Sequence, residues 1–176
     1  MNKPLTHEPN RIPYQKPQPR DMRPDIVIND GMGEADPRVW VPMSDHTFSR
    51  PLQYNVTVGQ YTHILRVTRA GVIARHRHSG VVHAWVIQGR WHYLEHDWVA
   101  EAGSYICEPA GETHTLVVPE GCNEMVTLFQ VTGSLVYVDP QGAATGYDDV
   151  FTRIEKARAH YTKVGLGEDY VEQFIR

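Results

Sequence analysis

Long hydrophobic runs are missing from this chain: although 41% of its residues are hydrophobic, no stretch approaches the roughly 20 apolar residues needed to cross a bilayer. A membrane is not an expected partner. Cysteine is nearly absent. Cys107 and Cys122 stand alone without C-x-x-C spacing, which excludes a disulfide framework and a zinc-thiolate site. Both are expected to be reduced core residues. Positive charge is also short, with 17 Lys and Arg against 21 Asp and Glu and the signs interspersed. No basic face or helix-turn-helix pattern is present to hold nucleic acid. The opening MNKPLTHEPNRIPYQ has no apolar stretch of the signal-peptide kind, so a cytoplasmic location is the expectation.

At 176 residues the chain suits one packed domain. Residues 1–24 are rich in proline, charge and amides and cannot build a core. They read as an extended surface arm, or one whose Ile12 and Tyr14 dock on a neighbouring subunit. Residues 25–142 read as a β-barrel. Within them, short runs of Val, Ile, Thr, Tyr and Trp alternate with turn residues, placing strands near 38–41, 60–68, 81–87, 91–95, 104–108, 114–118, 124–131 and 134–138. Their spacing is that of an all-β sandwich or small barrel. Residues 143–176 read as helical, because Val150, Ile154, Ala157 and Tyr161 recur at helical spacing over 147–163, with further turns over 169–175.

Histidine is plentiful, with ten copies and several crowded between positions 76 and 114. His76 and His78 lie two apart on a predicted β segment, so both rings face one side. His114 follows a turn containing Pro109 and Gly111. Three neutral imidazoles on short strands with open positions left over suit a catalytic divalent metal, and the spacing alone admits iron, zinc, nickel or copper.

The stretch from Gly71 through His76, His78 and Gly89 resembles the first cupin motif, and Gly103-x5-Pro109-x-Gly111-x2-His114 resembles most of the second. The resemblance implies a single-domain, jelly-roll-like all-β cupin. Two departures stand out. Val118 replaces the usual Asn of the second motif, and Val82 replaces the glutamate that ordinarily supplies a fourth ligand. Reading Gln88-Gly89 as a two-residue hairpin turn pairs Val82 with Glu95. Glu95 is then expected to enter the cavity as a fourth ligand or a nearby base. The same parity puts Trp91 and Tyr93 inside, as pocket or core, and turns His83, Arg75 and Arg77 outward. Tyr105 is a further candidate for the pocket.

A three-histidine cupin without the motif glutamate resembles the iron dioxygenases that cleave carbon–carbon bonds. The stretch WVIQGRWHYLEHDWVAEAGSYICEPAGETHTL, preceded by HRHSG, is similar to the 2,4'-dihydroxyacetophenone dioxygenases. That resemblance implies Fe(II), a homo-oligomer (dimer or tetramer), and O2-dependent cleavage of an aromatic α-hydroxyketone to 4-hydroxybenzoate and formate. It implies His76, His78 and His114 as iron ligands and Glu95 as the functional glutamate, with Glu95 and Tyr93 as catalytic candidates. Competing readings are a dioxygenase of another β-diketone, α-hydroxyketone or thiol, a metal-dependent sensor without turnover, and a zinc or manganese sugar-phosphate isomerase.

Overall fold

A computed structural model describes residues 11–176. The first ten residues of the expected arm lie outside the described residues, and 11–24 run exposed and largely without regular structure, with Ile12 and Tyr14 both 68% exposed.

Twelve strands follow: β1 (Val41–Pro42), β2 (Thr47–Asn55), β3 (Gln60–Val67), β4 (Gly71–His78), β5 (Val82–Gln88), β6 (Arg90–Tyr93), β7 (Ala100–Glu101), β8 (Tyr105–Glu108), β9 (Thr113–Val118), β10 (Met125–Thr132), β11 (Leu135–Val138) and β12 (Ala144–Asp148). They form two antiparallel six-stranded sheets, β1-β2-β3-β10-β5-β8 and β12-β11-β4-β9-β6-β7. Alternation decides which side chains fill the space between them. In β5, Val82, Ala84 and Val86 are buried while Trp85 and Ile87 are exposed. Tyr61, Val67, Trp91, Tyr93, Val118, Met125 and Val131 complete a core with almost no solvent contact.

The step from β5 to β6 overturns the expected hairpin. Both edges of β5 are already hydrogen-bonded, to β10 and to β8, so β6 has no edge there to join. It pairs instead with β9 and β7 in the other sheet. Gly89 makes the crossing with φ +75°, and a Cβ there would lie 2.2 Å from the Glu124 carbonyl oxygen. Only glycine fits both constraints.

β2 and β12 were not expected as strands. Pro51 obscures β2 because proline cannot donate to a ladder, and the structure absorbs it at a register shift between Pro51 and Gln53. β12 pairs with β11, which delays the helix. It runs as α1 (Val150–Lys163) from an Asp149 cap reciprocated by Thr152, a capping box. Val150, Ile154, Ala157 and Tyr161 face inward, joined by Arg153. α1 packs on β1, β2, β12 and a 3-10 segment, Glu168–Phe174. No helix among the described residues is long and apolar enough to cross a membrane.

Candidate metal centre

β4 carries His76 and His78 on one face, and its antiparallel partner β9 sets His114 directly opposite His76. Ring centroids are 4.8 Å apart for His76 and His114, 5.1 Å for His78 and His114, and 6.3 Å for His76 and His78. All three are buried. A carboxylate joins them from the other sheet: Glu108, 4% exposed, brings Oε2 to 3.3 Å from His78 Nε2 and 3.7 Å from His114 Nε2. Ligand atoms of His78, Glu108 and His114 all lie within 4.8 Å of one another, so these three could hold a metal ion, with His76 against His114.

Hydrogen bonding points the same way. Because a carbonyl can only accept, His78 Nδ1 donates to the Gly80 oxygen at 2.8 Å, which leaves Nε2 with its lone pair facing the cluster. His76 Nδ1, His78 Nε2 and both ring nitrogens of His114 are buried without a hydrogen-bond partner. Buried polar atoms are almost always paired, and one nitrogen from each of three imidazoles beside a buried carboxylate is a donor set that suits a cation.

Burial first, and then the neighbouring imidazoles, push His76 down to about 4 and His114 to about 3. Both are neutral at pH 7 and able to ligate. Burial also opposes charge on His78, but Glu108 and the Gly80 carbonyl outweigh it and raise its pKa. Tyr93 supports the cluster twice. Its ring stacks on His114 at 3.7 Å and 6°, and its hydroxyl donates to Glu108 Oε1 at 2.8 Å. Burial above all, then the Glu108 charge, holds this phenol well above its ordinary pKa, so it stays a donor. The centre opens on a cavity of about 430 Å³ lined by His76, Tyr93, Glu108, Leu116, Phe129 and Tyr137, among others. That volume suits a small organic molecule.

A family model described as the ChrR cupin-like domain matches residues 29–136. The chain belongs to this cupin family. Among solved structures it is similar to an RmlC-like cupin from Ralstonia eutropha JMP134, 26% identical over 72% of this chain and 83% of that one, with a TM-score of 0.67. It is also similar to an acetylacetone dioxygenase from Acinetobacter johnsonii, 16% identical over 84% of this chain and 99% of that one, with a TM-score of 0.65; at that identity the likeness shows the fold. No curated protein matches the sequence.

The cupin barrel brings His76, His78, His114 and Tyr93 together and leaves Glu95 out. Glu95 follows β6 in an exposed turn. There its carboxylate accepts from the Thr115 backbone N–H at 2.7 Å and the Thr115 hydroxyl at 2.8 Å. It does not line the cavity, because the hairpin that would have aimed it inward does not form. Val82 faces a carboxylate, but on the strand β5 does pair with: its partner is Glu108 of β8. Trp91 is fully buried among Tyr93, Trp98 and Phe129 and donates to Thr127 Oγ1 at 3.1 Å; it is core, not pocket. Tyr105 is 53% exposed, and on the outer face of β8 its hydroxyl meets His83 Nδ1 at 2.8 Å.

His63 also lines this cavity, with Nδ1 2.9 Å from Ser49 Oγ. Burial, reinforced by the Arg153 charge, holds its pKa well below the ordinary value. The unfolded chain therefore takes up this proton first, so the stability linked to neutral His63 is complete above about pH 6.5 and is lost as the pH falls. In urea titrations between about pH 6.5 and 5, His63→Gln is expected to flatten the slope of unfolding free energy by up to about 1.4 kcal/mol per pH unit. An unchanged slope would show that His63 protonates equally in both states.

Proposed function

We propose that this cupin is a non-haem Fe(II) dioxygenase that cleaves the carbon–carbon bond of a small aromatic α-hydroxyketone, converting 2,4'-dihydroxyacetophenone and O2 to 4-hydroxybenzoate and formate. The observation that carries it is the cluster of unpartnered imidazole nitrogens around a buried carboxylate, opening on a cavity of one small molecule's size. His76, His78, His114 and Glu108 would hold Fe(II), which would supply O2 activation and polarise the ketone when bound. That donor set is mostly neutral, which favours a ligand arriving as an anion.

The chain's own residues then have definite tasks. Glu108 Oε2 is placed to hold the metal or to take the proton of the substrate hydroxyl. Tyr93 pins Oε1 and, by stacking, the His114 ring. The apolar wall of Leu116, Phe129 and Val131 keeps water from the reacting carbons. Both oxygen atoms of O2 are accounted for in the two acids, so no further reductant is required. The acetylacetone dioxygenase of the same fold supports a dioxygenase of ketones as the reaction class.

Metal analysis joined to O2 uptake and formate release tests the proposal. Protein reconstituted anaerobically with Fe(II) is expected to consume one O2 per formate released from 2,4'-dihydroxyacetophenone, and the zinc-loaded form is expected to consume none. Uptake confined to acetylacetone or a thiol in the same panel would move the substrate class, and formate without O2 would overturn the mechanism. A homo-oligomer is part of the proposal, and sedimentation equilibrium of the full chain measures it.

A further inference from the structure

At its other pole the cavity ends in charges that the metal centre does not use. α1 sends Arg153 inward, its side chain 7% exposed, and brings Nη2 to 3.1 Å from Asp148 Oδ2. Lys156, one turn of α1 away, pairs with the other oxygen of Asp148. Tyr137 donates its hydroxyl to Asp148 Oδ2 at 2.8 Å. Two cations thus face one carboxylate, and that carboxylate is already engaged by both and by a phenol. One positive charge is left over at this pole, with Lys156 half-exposed and Arg153 buried and paired through Nη2. Hydrogen bonding is incomplete as well. Arg153 Nε and the Tyr61 hydroxyl are buried without partners, with the guanidinium carbon 5.3 Å from the centre of the Tyr61 ring.

We infer that this pole is an anion subsite, in which Arg153, with Lys156 beside it, receives one negatively charged oxygen group, a phenolate or a carboxylate, of the molecule whose other end reaches the histidines. Tyr137 supplies the yardstick. It stands edge-on to His76, ring centroids 6.4 Å apart, while its hydroxyl reaches Asp148. One tyrosine side chain thus meets both poles, which brings them within reach of a single small aromatic molecule. Arginine matches such a group well, offering several donors in a fixed plane. The inference rests on the proposed function only in taking the cavity as the substrate site, and it places the acidic 4'-hydroxyl of the hydroxyacetophenone at Arg153.

Binding without turnover tests it. Under anaerobic conditions the protein is titrated with 4-nitrophenol, whose phenolate absorbs in the visible, with its neutral methyl ether 4-nitroanisole, and with benzoate as the carboxylate arm. Wild type is expected to bind 4-nitrophenol at least tenfold more tightly than 4-nitroanisole and to develop phenolate absorbance at a pH where the free probe is mainly protonated. Benzoate binding that depends on Arg153 would extend the subsite to carboxylates, and benzoate binding that ignores Arg153 would restrict it to phenolates. Arg153→Met is expected to reduce the preference for 4-nitrophenol below twofold. Lys156→Gln, at a half-exposed position where the fold is not at stake, is expected to weaken 4-nitrophenol severalfold and leave 4-nitroanisole unchanged, and it decides the matter if Arg153→Met does not fold. Equal binding of phenol and ether by wild type, a preference that survives in folded Arg153→Met, or no effect of Lys156→Gln on 4-nitrophenol would overturn the subsite. Failure of hydroxyacetophenone to turn over leaves these binding results intact, so the two proposals fail separately.

Discussion

Glu108→Gln is expected to lower kcat/KM for the hydroxyketone by at least about 100-fold, the range for losing a general base or a support of a metal ligand, while Glu95→Ala stays within a few-fold of wild type. The contrast follows from what each carboxylate touches. Glu108 is buried between His78, His114 and the Tyr93 hydroxyl. The amide is nearly the same size, keeps an oxygen to accept from Tyr93, and loses the charge facing the imidazoles. Glu95 is engaged by Thr115 alone and lies outside the cavity lining. Losing two hydrogen bonds in an exposed turn costs stability of about 1 kcal/mol each, without reaching the chemistry. Steady-state O2 uptake checks activity, and metal content per chain separates lost binding from lost proton transfer. If Glu95→Ala lost activity while Glu108→Gln kept it, Glu95 and not Glu108 would be the functional glutamate.

That pair of glutamates also shows how far the sequence could be read. Strand content, the i, i+2 histidines and the turn that delivers His114 were legible, because a period of two and a Pro-x-Gly turn are local properties of the chain. The fourth group depended on which strands pair, and pairing is not local. Two short strands joined by Gln88-Gly89 look like a hairpin from sequence, since nothing in 82–95 reveals that β10 and β8, distant in the chain, have already taken both edges of β5. The parity argument at Val82 was sound in form and was applied to the wrong neighbour. Glu108 did carry a signal: in the strand ending before Pro109 it shares parity with apolar Ile106, an acid on a core-facing stripe. Arg153 was hidden for the complementary reason, since an arginine within an amphipathic helix reads as a surface residue until the barrel mouth beneath it is seen.

The second large effect is on stability. Fe(II), or Zn(II) as a redox-silent substitute, at about a thousandfold excess over its Kd is expected to stabilise the fold by about 4 kcal/mol. For a chain of this size that raises Tm by about 8–16 °C. The reason lies in the metal-free centre itself: buried ring nitrogens of His76, His78 and His114 lack hydrogen-bond partners at a desolvation cost of about 1–3 kcal/mol each, and coordination removes that cost at one nitrogen per ring. His114→Ala is expected to abolish most of the shift, because it takes away the ring that lies against His76, His78, Glu108 and Tyr93 at once. It also deletes two of the four orphaned nitrogens, so the metal-free variant is expected to lose less stability than a buried truncation of this size ordinarily costs. Calorimetry with and without metal measures both quantities. A metal-induced shift equal in wild type and His114→Ala would mean that the ion binds elsewhere, and the histidine cluster would then need another explanation for its unpaired nitrogens.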